Sequence, residues 1–118
     1  MSSIILTLPL PPTINNGYWK FHGHRRFLTT EAKNFKAEVD FAVRQANIMP
    51  LGKSRISLTV TLYFKDKRVN DLSNRIKALE DALVQSGLFD DDGQIDELYL
   101  RRGEILKGGK CEIEINIL

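Results

Sequence analysis

Residues 56–64, Ile-Ser-Leu-Thr-Val-Thr-Leu-Tyr-Phe, alternate without a break, and this run constrains the fold more than any other part of the chain. Successive side chains of a strand point to opposite sides. Ile56, Leu58, Val60, Leu62 and Phe64 therefore share one face, and Ser57, Thr59, Thr61 and Tyr63 share the other. A sheet with one apolar face has to be covered on that face. Two amphipathic helices are available to do so. Phe35, Val39, Ala42, Val43 and Ala46 recur at helical spacing behind Thr29, a plausible N-cap with Glu31 in the first turn, and Met49-Pro50-Leu51-Gly52 ends the run. Leu72, Ile76, Leu79 and Leu83 form a second helical stripe that starts near Asp71 and stops at Gly87. Ile4, Leu6 and Leu8 mark a first strand, and residues 95–102 a weaker one. Cys111, Ile113, Ile115 and Ile117 alternate with Glu112, Glu114 and Asn116 as a last strand, with LKGGK (106–110) read as a hairpin loop before it. The expected order is β-α-β-α-β-β. This is an α+β fold, a small mixed sheet with two helices packed on one face, and residues 1–118 form a single domain.

Composition matters mainly for what it excludes. One cysteine rules out a disulfide framework, a four-cysteine zinc site and a CxxC redox pair. The opening MSSIILTLPLPP is apolar but has no basic residue ahead of it and stops at prolines, so it reads as neither signal peptide nor membrane span. With the single thiol, this leads us to expect a cytoplasmic protein. The net charge of +2 conceals a division along the chain. Residues 51–77 carry seven positive and two negative charges, whereas residues 78–99 carry seven negative and none positive. A basic surface beside an acidic focus suits a protein that holds a polyanion while concentrating a divalent cation, although solvated charge has the same composition.

Three groups of residues can carry chemistry. In Asp71-Leu72-Ser73-Asn74-Arg75-Ile76-Lys77, Asp71 reads as a helix cap, with Asn74 and Lys77 following at steps of three. In Asp90-Asp91-Asp92-Gly93, crowded carboxylates are relieved by solvent, by protonation or by a cation. It is not an EF-hand, because that register puts Leu88 first and Tyr99 twelfth where oxygen ligands are required. The segment YWKFHGHRR (18–26) interleaves aromatic and basic residues in an expected loop. Its His22 and His24 lack the cysteines or carboxylates of a metal site, so it reads as solvated or in contact with phosphate. Cys111 sits on an apolar strand face and reads as core. No Gly-rich phosphate loop and no GxSxG is present, which removes nucleotide cofactors, nucleotide hydrolysis and acyl transfer.

Taken together, Asp71-x-x-Asn74-x-x-Lys77-x-x-x-Asp81-Ala82-Leu83, then Gly87, then Asp91-Asp92-x-Gln94-Ile95, resembles the RusA family of Holliday junction resolvases. Pro11-Pro12-Thr13 with Asn16 and Tyr18, and Lys107-Gly108-Gly109, fit the same pattern, so the resemblance spans nearly the whole chain. It implies a homodimeric, magnesium-dependent endonuclease, of a kind common in phages and prophages, that cuts four-way DNA junctions by paired symmetric nicks. Asp71 matches the family's first catalytic aspartate, Asp92 that of the acidic loop with Asp91 beside it, Lys77 the catalytic lysine and Asn74 the asparagine between. Where the family often carries a second aspartate this chain has Ser73. That departure leaves a rival reading, a catalytically silent junction-binding protein. An adaptor using the acidic loop to bind a basic partner is another.

The chemistry of these residues agrees with the resemblance. Phosphodiester hydrolysis needs an activated water and stabilised oxyanions, which Mg2+ (or Mn2+) held by Asp71, Asp91 and Asp92 would supply. Lys77 would steady the scissile phosphate or orient the water, with Ser73 and Asn74 in support. Lys20, Arg25, Arg26, Lys65, Lys67, Arg68 and Arg75 would contact backbone phosphates.

Overall fold

The computed structural model describes residues 3–14, 17–68 and 71–118. Asn16, part of the family pattern, lies outside these residues. The elements are β1 (Ile4–Leu8), β2 (Trp19–His22), β3 (Arg25–Leu28), α1 (Thr30–Gln45), β4 (Ile56–Tyr63), α2 (Ser73–Gln85), a 3-10 turn (Asp92–Gln94), β5 (Ile95–Arg102) and β6 (Lys110–Ile117). The α+β expectation holds. Four strands form one mixed sheet in the order β1-β6-β4-β5, and the alternation of residues 56–64 buries the face it should. Leu58, Leu62, Ile113 and Ile115 of the sheet form one core with Phe35 and Val39 of α1 and Leu79 and Leu83 of α2. Thr29 caps α1 as expected, its Oγ1 accepting from the Ala32 N–H at 3.1 Å.

Two local expectations change. The segment 18–26 is not a loop: Trp19–His22 and Arg25–Leu28 pair antiparallel as a separate two-stranded sheet around Gly23 at φ 64°. No apolar alternation announces this hairpin because most of its side chains are exposed on both faces. LKGGK, in turn, does not join neighbouring strands. β5 runs parallel to β4, after the α2 crossover, and β6 pairs antiparallel on the other side of β4. The chain after β5 must therefore cross the end of β4, where Gly103 N–H donates to Leu62 O and Leu106 N–H to Phe64 O, each at 2.9 Å. Gly103 makes the crossing possible, since a Cβ there would lie 2.4 Å from the Tyr63 ring. Gly108 and Gly109 still adopt the positive φ that the GG pair suggests.

Cys111 is core, as expected. It is buried on β6, and burial pushes its thiol up to about 12. Since the thiolate is the reactive form, a thiol-specific disulfide reagent should leave the native protein unlabelled and react promptly once denaturant is added. Rapid labelling of native protein would mean that β6 opens readily.

Candidate nuclease site

The site is built on the first two turns of α2 and on the acidic loop that follows it. Asp71 does not cap the helix, contrary to expectation. The N-cap is Leu72, with helical dihedrals (φ −59°, ψ −48°) and no side-chain cap bond, because its side chain packs against the main core. Asp71 is left exposed ahead of the helix, and Ser73 is exposed as its first residue. The next two residues tie down the N-terminal segment. The Asn74 carbonyl accepts from the Ile14 N–H at 2.9 Å, and Arg75 Nη1 donates to the Pro11 carbonyl at 2.6 Å. The Arg75 guanidinium also lies 5.2 Å from the Phe64 ring centroid, and burial lowers its pKa, so this arginine is part of the framework rather than a free phosphate contact. Asn74 Oδ1 is buried with no hydrogen-bond partner among the described residues.

One turn further on, Lys77 brings the two halves of the motif together. Its Nζ donates to Asp92 Oδ2 at 2.8 Å and lies 3.2 Å from Asp81 Oδ1, four residues along the same helix. Asp92 and Asp81 together hold the ammonium well above its ordinary pKa, with the Asp92 hydrogen bond the larger cause. Asp81 is itself fixed from the far side: Tyr18 donates its O–H to Asp81 Oδ2 at 3.1 Å. The Tyr18 ring is buried, and burial followed by the Asp81 charge pushes its phenol up to about 12. A chain Tyr18–Asp81–Lys77–Asp92 thus runs from the core to the acidic loop.

That loop is held by a residue to which the sequence reading gave no role. Gln94 is buried, and its amide is fully used. Oε1 accepts from the Asp90 and Asp91 N–H groups at 3.1 and 3.0 Å, and Nε2 donates to the carbonyls of Gly52 and Ser54 at 2.9 and 2.6 Å. Asp91 completes a capping box, its Oδ2 accepting from the Gly93 N–H at 3.1 Å. Arg55 braces the loop from outside through Asp96 and the Gly93 carbonyl. The D-x-x-Q spacing of Asp91 and Gln94 was the available signal. Leu88 and Phe89, both buried, anchor the start of the loop.

Above Lys77 and Asp92 opens a cleft of ≈ 650 Å³, walled on the other side by Trp19 and Arg26 of the hairpin and by Lys33 and Lys36 of α1. Lys33 and Lys36 also went unnoticed in the sequence, where they are two of the polar residues expected on any amphipathic helix. Of the expected residues, Lys77, Asp91, Asp92 and Arg26 meet at this cleft. Asp71 and Ser73 are not among its lining, and Lys20, Arg25, Lys65, Lys67 and Arg68 lie exposed on the hairpin and on the turn after β4. Arg68 pairs with Asp66 at 3.2 Å. No three His, Cys, Asp or Glu side chains among the described residues form a group that could hold a metal ion. No helix of the described residues is long and apolar enough to cross a membrane.

The comparisons with known proteins match the chain along nearly its whole length. The family profile described as endodeoxyribonuclease RusA matches residues 9–117. A crossover junction endodeoxyribonuclease rusA of Enterobacteria phage HK97 is 31% identical over 118 residues, covering 100% of this chain and 98% of the relative. The crossover junction endodeoxyribonucleases RusA of Shigella sonnei (strain Ss046) and Escherichia coli (strain K12) are each 28% identical over 116 residues, covering 98% of this chain and 95% of the relative. With nearly all of its length matched by the family profile and by these relatives, the chain belongs to the RusA endodeoxyribonuclease family.

Proposed function

We propose that the protein resolves four-way (Holliday) DNA junctions by paired symmetric nicks, through metal-assisted hydrolysis of the phosphodiester. The observation that carries this reading is the meeting of Lys77 and Asp92 in a cleft with cationic walls. The names of the relatives support the substrate class. The cleft gathers Arg26, Lys33, Lys36 and Lys77 around the edge of the acidic loop, so a phosphodiester finds both neutralising charge and carboxylates within one site.

The donor set fits Mg2+ by its chemistry. Carboxylate oxygens are the ligands a hard cation takes, and Mg2+ commonly binds through one or two carboxylates plus water and substrate phosphate, so three assembled protein ligands are not required. Asp92 and Asp91, which line the cleft, would hold it, while Asp71, the third expected ligand, lies outside that lining. When bound, the ion would acidify a water and stabilise charge on the phosphoryl oxygens. The chain's own residues do the rest. Lys77 keeps its proton against the paired carboxylates and, as a charged ammonium, would hydrogen-bond a phosphate oxygen, while Asp81 and Tyr18 keep its long side chain aimed. Arg26, Lys33 and Lys36 steady the neighbouring phosphates, and Lys20, Arg25, Lys65, Lys67 and Arg68 extend the basic track outward. One protomer supplies one such site, so paired nicks in opposed strands call for a two-fold homodimer.

The decisive experiment adds Mg2+ to the protein with an end-labelled four-way junction. Nicking is the expected result. A mobility shift without nicking at any Mg2+ or Mn2+ concentration would mean a silent binder, and neither shift nor nick would overturn the nucleic-acid reading altogether. Ser73 refines the test. It opens α2 beside the expected ligand Asp71, so Ser73→Asp should bring half-maximal nicking to lower Mg2+. Ser73→Ala should cost less activity than Asp71→Asn. An inert wild type that Ser73→Asp restores to nicking would place this chain with the silent binders.

A further inference from the structure

The β2–β3 hairpin stands apart from the main sheet, hydrogen-bonded as strand to no other strand, and its surface has an unusual composition. Directly opposed residues of an antiparallel pair share a face. The register Trp19↔Leu28 and Phe21↔Arg26 therefore puts Trp19, Phe21, Arg26 and Leu28 on one side. The planar guanidinium of Arg26 lies 3.9 Å from the Trp19 ring centroid, and Phe21 is 72% exposed beyond it, toward the tip. Between Tyr18 and Leu28 there are three Lys or Arg residues and no carboxylate.

We propose that this face is a stacking platform for an unpaired nucleobase, with Phe21 as its outermost element and the Arg26–Trp19 stack behind it. Flat apolar faces interleaved with cations, and free of carboxylates, match a nucleobase joined to phosphates better than they match an acidic peptide, which offers charge without rings. Trp19 and Arg26 wall the same cleft that holds Lys77 and Asp92, and Phe21 lies outside that lining on the adjoining part of the hairpin, so a base resting on the platform would belong to the strand leading into the site. Continuous duplex keeps its base faces inside the stack and has none to offer. A branch point, where stacking is interrupted, does. The hairpin would thus be a source of selectivity for branched DNA. This inference rests on the reading of the protein as a junction nuclease, and it adds a residue, Phe21, that the motif does not contain.

The test compares affinities for a four-way junction and for a linear duplex of the same sequence, with Ca2+ in place of Mg2+ to prevent cutting. Phe21→Ala should weaken junction binding about tenfold, within the range measured for loss of one base–aromatic stack, and leave duplex binding within about twofold. Phe21→Trp should retain the preference. Lys20→Ala should weaken both substrates alike and flatten the salt dependence, as loss of a phosphate contact does. An unchanged thermal melt for Phe21→Ala, expected from its exposure, excludes misfolding. Equal weakening for both substrates, or no weakening for either, would overturn the platform while leaving the junction-nuclease reading in place. A wild type with no preference for the junction would overturn both.

Discussion

Asp92→Asn should bind a four-way junction at least as tightly as the wild type and fail to nick it. The substitution removes the carboxylate that Lys77 faces at 2.8 Å and, with it, one negative charge at the mouth of the cleft. Phosphates approaching the site then meet less repulsion and a Lys77 released from one of its two partners, so affinity holds or rises. Chemistry suffers in the opposite direction. Without Asp92 the site would lose a proposed metal ligand and the alignment of Lys77, and losing one preorganised hydrogen-bonding group at a reacting centre typically costs about 10²–10³-fold. We expect a fall at or beyond the upper end, read from single-turnover nicking beside a mobility-shift titration. Parallel loss of binding and nicking in a folded variant would reduce Asp92 to a structural counter-ion for Lys77.

The second large effect is on stability. Gln94→Leu keeps the approximate volume of a buried side chain but strands two backbone groups, the Asp91 N–H and the Ser54 carbonyl, and takes a second bond from the Asp90 N–H and the Gly52 carbonyl, which still pair with each other at 3.1 Å. Each group left without a partner costs about 1–3 kcal/mol, with some recovery as the loop shifts toward water, so a total of about 2–4 kcal/mol is expected. For a chain of this size that is a fall of roughly 8–16 °C in melting temperature. Gln94→Glu should be no more stable than Gln94→Leu at neutral pH, because its second oxygen would face the Gly52 and Ser54 carbonyls as a buried charge, and should recover in acid as the protonated carboxyl becomes a donor. A melt of Gln94→Leu within a degree or two of wild type would show that the acidic loop is held by Arg55 and by the buried Leu88 and Phe89 instead.

The contrast between these residues and the ones visible in the chain has a physical origin. Strands β4 and β6 were legible because one face is buried and the other is not, which writes a period of two into the sequence. Thr29 was legible because a cap acts on residues beside it. Lys77 and Asp92 were legible as a motif, but their contact spans a helix end and a loop, and no local pattern encodes it. The same holds for Tyr18, whose partner Asp81 lies 63 residues away. Asp71 was misplaced by one residue because an Asp ahead of a helical stripe is normally its cap. Here the core claims Leu72 into the helical conformation and pushes the boundary forward. The hairpin escaped notice because a strand exposed on both faces carries no burial signal, and aromatic residues scattered among cations look like a loop.

The position of β6 sets the order in which this fold can come into being. It lies between β1 and β4 and pairs with both, yet it leaves the ribosome after every other element of the sheet. Until residues 110–117 emerge, β1 has no neighbour, and the layer beneath α1 has a gap where Ile113 and Ile115 belong. The nascent chain can form α1 and α2 locally, but it cannot close the surface on which they rest, and long-range pairing of this kind is slow. The Lys77–Asp92 pair joins α2 to the loop after it, so the surface that supports it is complete only once β6 has emerged. A ribosome stalled before residues 110–117 emerge should therefore carry a protease-sensitive chain.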